Sequence, residues 1–566
     1  MSISTTKKAS TGARNEQARP VDWQTLLFWA AIIALFAIAI AMRLYQLGLP
    51  FDRDSYDEGV YWQSLRAMGA GHALYGDIFY SQPPLFLLST YPVYALFGAS
   101  LWSARLGIAL VSLFGLVGAL LLGKALSGRL GALAALLLAV SNPLFLAQSQ
   151  TIQAEASSVA FSFLAIGLAL YWWQYPTGRR GLLLAILTGV TVALSIMSKL
   201  LGVALLVPVL LLMAARLWWG AMGEREATDQ DGHGKHEDGE ENQGGGKPGP
   251  YPVRTRQGRT SYRVRAGLAP ALVSRPYMSI TTGIVAFILT MLLLTLPFFG
   301  SFQALWSSVV TFHTDAGTLL SGNPQLGQSS NTFKLETALA TLLTLAALYG
   351  SVIALLRRDW RVLPLLAWLL ATAFLLWRQV PLFPHHFVSL TPPLITLAVM
   401  GIAEPAAYKR AFANASSPSI ATVLTWLAIA LILITSALDA RTDLLYYKNA
   451  AARGVDGLAQ LEARVATDLD RAITPDQQVV TDAQFIAGLA NRNTPPALVD
   501  TSMVRITTGS ITLSQLESLT AGPQVHAVLF FTGRFGLPDV AAFHAWVAQH
   551  FHLLHNYGGG RELWVR

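Results

Sequence analysis

Of the 566 residues in this chain, 53% are hydrophobic and only 13% charged, a balance too apolar for a water-soluble globular protein. The complete absence of cysteine excludes disulfides, thiolate zinc sites and cysteine nucleophiles. A net charge of +8 is what basic cytoplasmic loops give a multispanning protein, so it is read as topology and no nucleic-acid partner is expected.

Residues 1–22 form a polar, basic tail, expected to be disordered and cytoplasmic. The apolar run after it is too long for a signal h-region and lacks a convincing cleavage site, so it is expected to remain as the first span. Apolar runs recur from Trp23 to Leu438 and predict eleven spans, at about 24–48, 103–123, 130–147, 154–174, 181–197, 200–218, 278–299, 336–356, 362–378, 385–404 and 419–438. With the N-terminus inside, the short inner segments hold thirteen Lys and Arg against seven on the outer side, in accord with the positive-inside rule.

Two segments bear on this count. Pro84 to Gly98 is apolar but short, and is read as a re-entrant or interfacial helix within a first outer loop of residues 49–102. The run 181–218 is too long for one span and is broken by Ser198-Lys199, which predicts a tight outer hairpin. Residues 220–275 are expected to be a disordered cytoplasmic loop, low in complexity from about Asp229 to Pro250, where His233 and His236 are solvated linker residues. The glycine-containing outer loop Ser301–Lys334, with His313 and Asp315, is read as mobile and able to regulate access to a site.

Residues 439–566 change to the composition of a small α/β unit. Strands are expected at Gln478–Thr481, Ala497–Asp500, Ala527–Phe531, His552–Tyr557 and Glu562–Val565, and helices at Val455–Arg471 and Pro538–His550. None of these strands is followed by a glycine-rich phosphate loop, so substrate recognition or docking is expected there rather than catalysis. The fold class expected is mostly α: a polytopic membrane region, 23–438, followed by this extracytoplasmic α/β domain.

In this topology Asp57, Glu58, Glu155, Lys199, Arg378, His385 and His386 all fall at outer ends of spans or in outer loops, as does Arg105. Ionisable groups at membrane depth are costly unless paired or wetted, so such a cluster of both signs is a functional-site candidate. Blander readings stand beside each group. Asp57-Glu58 also fits a solvated acidic loop, and Glu155 a carboxylate at a helix N-terminus. Lys199 also fits a snorkelling side chain, and the histidines fit interfacial groups satisfied by water. Arg378 with His385-His386, around a Pro-broken turn, forms the sharper basic group, able to hold a phosphate.

The stretch YDEGVYWQSLRAMGAGHALYGDIFYSQPPLFLL resembles the first outer loop of the membrane-bound GT-C glycosyltransferases, in the branch containing bacterial protein O-mannosyltransferases and lipid A aminoarabinose transferases. The residues that carry it are Asp57-Glu58, the following Tyr61, the element Gly69-x-Gly71-x-x-x-Tyr75 and the pair Pro83-Pro84 before a short apolar helix. It is strongest over about residues 24–215. Many relatives have Lys or His before the Pro-Pro pair, whereas this chain has Gln82, which shifts the phosphate contact to another group such as Arg378 or Lys199, or implies a different donor.

The resemblance implies transfer of a sugar from a polyprenyl phosphate to an acceptor hydroxyl, with inversion, at the outer face of the plasma membrane. The acceptor is a protein, a glycolipid or a cell-wall polymer. Asp57 takes the role of catalytic base, with Glu58 and Glu155 as further catalytic candidates. Tyr61, Gln82, Arg105, Lys199, Arg378, His385 and His386 are candidates for binding substrate and phosphate. No obligatory cofactor is expected; a divalent metal among the carboxylates is open, but a phosphate leaving group met by Arg and Lys needs none. The rival reading is a transporter or flippase of lipid-linked saccharides, although no internal repeat is visible.

Overall fold

The computed structural model describes residues 22–51, 56–218, 276–324, 326–402 and 418–566. The tail to residue 21 and the whole loop 220–275, with His233 and His236, lie outside the described residues. The chain is mostly helical. In order, α1 spans Trp23–Leu44, α2 Tyr56–Gly69, α3 Leu85–Leu96, α4 Leu101–Val140, α5 Pro143–Ser149, α6 Ala154–Gln174, α7 Gly178–Ser198 and α8 Leu200–Trp218. Further helices run over Pro276–Thr295, Leu342–Leu356, Val362–Arg378, Thr391–Val399 and Pro418–Arg453.

Among the described residues seven helices are long and apolar enough to cross a membrane, or eight when the pair Gln328–Leu339 and Leu342–Leu356, bent by 76°, counts as one span. One of the seven, α4, serves two of the predicted spans. Its backbone leaves the helical region at Ser127 and at Gly128, whose φ of 65° favours glycine. A Cβ on Gly123 would stand 2.2 Å from the carbonyl oxygen of Gly131, although those residues lie about 12 Å apart along a straight helix. The two halves therefore run antiparallel, as the separate spans 103–123 and 130–147 require. Close packing against α6 rests on the absence of a side chain at Gly118, where a Cβ would fall 2.3 Å from Leu164 N. The break at Ser198-Lys199 is also present: α7 ends at Ser198 and a 3₁₀ turn begins at Leu200.

Two expectations are corrected. The segment Ser301–Lys334 is not a loose loop: it contains helices at Phe302–Trp306 and Phe312–Leu319 joined by a π-helical turn, and His313 packs inward with Nε2 2.8 Å from the carbonyl oxygen of Ser81. Ala497–Asp500 is not a strand, because Pro495-Pro496 opens a 3₁₀ turn at Pro496–Leu498.

The helix from Pro418 continues to Arg453, so no break in secondary structure falls at residue 439. Beyond it lie the helix Gly457–Ala472 and a four-stranded sheet: β1 Gln478–Thr481, β2 Val525–Phe530, β3 His552–Gly558 and β4 Arg561–Val565, in the order β1-β2-β4-β3. β1 and β2 are parallel, while β2–β4 and β3–β4 are antiparallel. Alternation along β2 feeds two cores. Val528 and Phe530 join Phe535, Phe543 and Val547, whereas Ala527 and Leu529 join Val465, Leu469 and Ile486. Helices thus cover both faces.

The sheet domain sits directly on α2. A Cβ on Gly59 would fall 2.5 Å from Phe485 N, and one on Gly488 2.5 Å from the Trp62 ring, so both glycines permit contact at backbone distance. Gln63 Nε2 donates to the carbonyl of Arg492 at 3.1 Å, and Arg66 donates to Asn493 and Asn491 at 3.0 and 2.8 Å.

Candidate active site

A cavity of about 710 Å³ lies between the helical region and the sheet domain. Its polar lining includes Asp57 and Tyr61 from α2, Gln82 from the segment before α3, and Lys199 from the break between α7 and α8. Arg378 joins them from the end of its helix, His385 and His386 from the 3₁₀ turn Pro384–Leu390, and His313 from Phe312–Leu319. An apolar wall of Leu144, Leu200, Leu201, Val203 and Leu375 completes the helical side.

Each carboxylate has a distinct setting. Asp57 stands in the first turn of α2 with 36% of its side-chain surface free towards the cavity. Its Oδ2 is 3.7 Å from His385 Nε2. The protein around it raises its pKa above the usual carboxylate value: loss of solvent is the largest cause, Glu155 and Asp500 push the same way, and His385 and Lys199 oppose. Glu155, in the first turn of α6, is 1% exposed and pairs with the Lys199 ammonium. Its Oε1 also lies 3.6 Å from Nε2 of both His385 and His386.

Glu58 is different. Its two oxygens accept from Arg105 Nε and NH2 at 2.8 and 2.7 Å, and Oε1 also accepts from Ile152 N at 3.0 Å. Arg105 NH1 donates to the carbonyls of Leu47 and Leu49 at 2.5 and 2.6 Å. Neither side chain lines the cavity; the pair fastens α2 to α4 behind it. A single residue step along the helix explains the contrast, because adjacent residues point about 100° apart.

Gln82 lines the cavity, and its carbonyl accepts from the Tyr75 hydroxyl at 2.6 Å. Tyr75 adopts φ 65° and Gly71 φ 91°, which shows what the Gly-x-Gly-x-x-x-Tyr element does: it turns the chain so that the segment bearing Gln82 returns beneath α2.

One donor atom each from Glu155, His385 and His386 lie within 4.8 Å of one another, close enough to converge on a metal ion. Among the described residues, Glu155 Oε2 and His385 Nε2 are buried without a hydrogen-bond partner and are open to an ion, whereas two further contacts compete with one. Lys199 already donates to Glu155 Oε1, and Phe383 N donates to His386 Nδ1 at 3.2 Å. With Nδ1 accepting, the neutral imidazole carries its proton on Nε2, the atom that faces Glu155 and would have to offer a lone pair.

The cavity also takes Tyr56, Asp500, Ser502, Val504 and Arg534, most of them from the sheet domain, which the sequence did not single out. Tyr56 adjoins Asp57, and Asp500 ends a run read as a strand. Neither position carries a sequence signal beyond that proximity.

The expected resemblance is matched in two ways. Residues 61–226 match the family of dolichyl-phosphate-mannose-protein mannosyltransferases. The whole fold is similar to ArnT from Cupriavidus metallidurans bound to undecaprenyl phosphate, with 15% identity, a TM-score of 0.53 and coverage of 96% of this chain and 98% of that one. The apo state of that protein gives 14% and 0.52, over 96% and 97% of the two chains. The apo oligosaccharyltransferase of Archaeoglobus fulgidus gives 13% and 0.50, over 93% of this chain and 71% of that one. A search of curated protein sequences found no match. The fold is thus the one seen in ArnT, a multispanning helical region followed by a small α/β unit. The segment that matches the mannosyltransferase family model is the one that supplies Tyr61, Gln82, Glu155 and Lys199 to the cavity.

Proposed function

We propose that this protein transfers a sugar from a polyprenyl-phosphate donor to an acceptor hydroxyl at the outer face of the plasma membrane, with inversion at the anomeric carbon. The observation that carries this reading is the shared cavity. A carboxylate with free surface, Asp57, faces the same space as the cations Lys199 and Arg378 and a wall of leucines. Those are the three chemistries that an acceptor hydroxyl, a phosphate and a lipid chain require, and the volume is in the usual range for a small-molecule site. The ArnT structure of the same fold is bound to undecaprenyl phosphate, which supports a lipid phosphate as donor here.

In the reaction, the acceptor oxygen forms a bond to the anomeric carbon while its proton passes to Asp57. The bond from that carbon to the phosphate oxygen breaks, and the electron pair leaves with the polyprenyl phosphate. Arg378, with no carboxylate within 4.0 Å among the described residues, and Lys199 stabilise the departing charge, an effect that grows where water is scarce. Residues of the sheet domain close the opposite side of the cavity, where the acceptor enters. In this orientation the N-terminus is cytoplasmic and the sheet domain extracytoplasmic, which the excess of basic residues in the short inner loops supports. No step uses a metal.

The test is release of polyprenyl phosphate by purified protein in nanodiscs, across a panel of polyprenyl-phosphate sugars, with Asp57→Asn alongside. Release by wild type and its loss in the variant supports the assignment. Stable protein that releases nothing from any donor, yet moves lipid-linked saccharide between leaflets, would replace it with the flippase reading.

A further inference from the structure

The cavity is completed by a contact that the reaction scheme does not use. Tyr56, the first residue of α2 and the neighbour of Asp57, is held at both ends by the sheet domain. Its hydroxyl accepts from Thr501 N at 2.6 Å and lies 2.9 Å from Thr501 Oγ1. Thr501 Oγ1 gives its only proton to the carbonyl of Thr481 at 3.0 Å, so the Tyr56 hydroxyl donates to Thr501 and its hydrogen-bonding capacity is used in both senses. The Tyr56 ring lies under the Arg534 guanidinium, 4.0 Å from carbon to ring centroid.

The loop that presents Arg534 is itself fixed. The buried Asp482 carboxylate accepts from the backbone N–H groups of Phe531, Thr532 and Arg534 at 2.8, 3.1 and 2.9 Å, and Gly533 turns the chain with φ 83°. An uninterrupted set of contacts therefore runs from the sheet domain to the residue next to the carboxylate that faces the cavity.

We infer that Tyr56 and Arg534 are positioning residues, through which docking of the sheet domain sets the placement of Asp57 in the cavity. The inference rests on the glycosyltransferase reading above. A base must lie within hydrogen-bond reach of its proton, and a displacement of about 1 Å can cost on the order of 100-fold in rate. A helix start held by two hydrogen bonds and one cation–π contact is restrained on that scale. Arg534 also lines the cavity; its guanidinium lies on the ring of Tyr56 and NH1 donates to the carbonyl of Asp482 at 3.5 Å, so an unchanged donor KM is what separates bracing of α2 from direct contact with the substrate.

The experiment uses the full chain in nanodiscs with the donor identified in the panel, and compares wild type, Asp57→Asn, Tyr56→Phe, Arg534→Met and Arg534→Lys. Tyr56→Phe keeps the ring and loses both hydrogen bonds, and it is expected to lower kcat by about 10-fold or more while the donor KM stays within about twofold. Arg534→Met is expected to do the same, and Arg534→Lys to recover most of the loss because lysine still presents a cation to the ring. The Tyr56→Phe, Arg534→Met double variant should lose less than the product of the two single losses, as residues that act through one contact do.

Wild-type kcat in folded Tyr56→Phe and Arg534→Met, with Asp57→Asn inactive, would overturn the inference and leave the glycosyltransferase reading intact. Failure of Arg534→Lys to recover activity, with its thermal midpoint at the wild-type value, would also overturn it. Absence of transfer by wild type from every donor would instead overturn the reading on which it rests.

Discussion

Glu58 and Arg105 face each other through two parallel hydrogen bonds of 2.8 and 2.7 Å, and the side chains of both are withdrawn from the cavity that the adjacent Asp57 enters. The acidic pair in α2 thus divides its labour: one carboxylate fastens the helix and the other faces the cavity.

Loss of the fastening should show as instability. Arg105→Met leaves Glu58 as an uncompensated buried charge, and breaking such a pair costs about 3–5 kcal/mol. Thermal unfolding of the purified protein should fall clearly for Arg105→Met, and also for Glu58→Gln, which can no longer accept from the guanidinium through two charged oxygens. An unchanged midpoint in Arg105→Met would remove the structural assignment.

The proposed role of Asp57 as base sets an expected pH dependence of transfer. A general base works only when deprotonated, and burial together with Glu155 and Asp500 raises the pKa of this one. The acid limb of kcat/KM should therefore lie above the ordinary carboxylate value of about 4, with activity lost as pH falls through it. His385 acts to lower that pKa, so His385→Ala should move the limb to higher pH. Asp57→Asn should cost about 10²–10⁴-fold in kcat/KM. A limb in His385→Ala at the wild-type position would show that another group titrates.

Lys199 serves two ends at once, as partner of the buried Glu155 and as a cation on the cavity wall. Lys199→Met should both destabilise the protein and raise the donor KM. Adding Glu155→Gln removes the stranded carboxylate, so the double variant should regain thermal stability while the donor KM stays high. Recovery of donor binding together with stability would deny Lys199 its contact with the phosphate.

The cluster of Glu155, His385 and His386 provides a metal test. Lys199 holds Glu155 Oε1, and the proposed reaction uses no metal, so transfer should survive exhaustive chelation with its rate within about twofold of the untreated protein. Rate and bound-metal content are measured on the same sample. Loss of activity on chelation that one divalent ion restores would assign that cluster to the ion.

Hydropathy alone located the membrane region, because a bilayer about 30 Å thick imposes apolar runs of a fixed length whatever packs against them. The break at Ser198-Lys199 and the short helix α3 were legible for the same reason: a polar interruption or an inadequate length is a local property. The element from Asp57 to Pro84 was legible as a motif. The roles within it were not, since Asp57 and Glu58 are the same chemistry one residue apart and only the direction of each side chain separates them.

Composition did not reveal that Ser301–Lys334 is helical and sends His313 towards Ser81, because glycines and small polar residues in sequence do not show what will pack on them. Nor did it reveal that Arg105 ties Glu58, or that Tyr56 meets Thr501 and Arg534, residues 445 and 478 positions further along the chain. The sequence by itself determined the class, a multispanning protein with a small α/β unit after its spans, through terms that act residue by residue: apolar transfer, charge asymmetry and the period of strands and helices. Which carboxylate faces the cavity, which cations are already paired and what closes the far wall were decided only in the tertiary structure, because each depends on distances between segments far apart in the chain that local pattern does not encode.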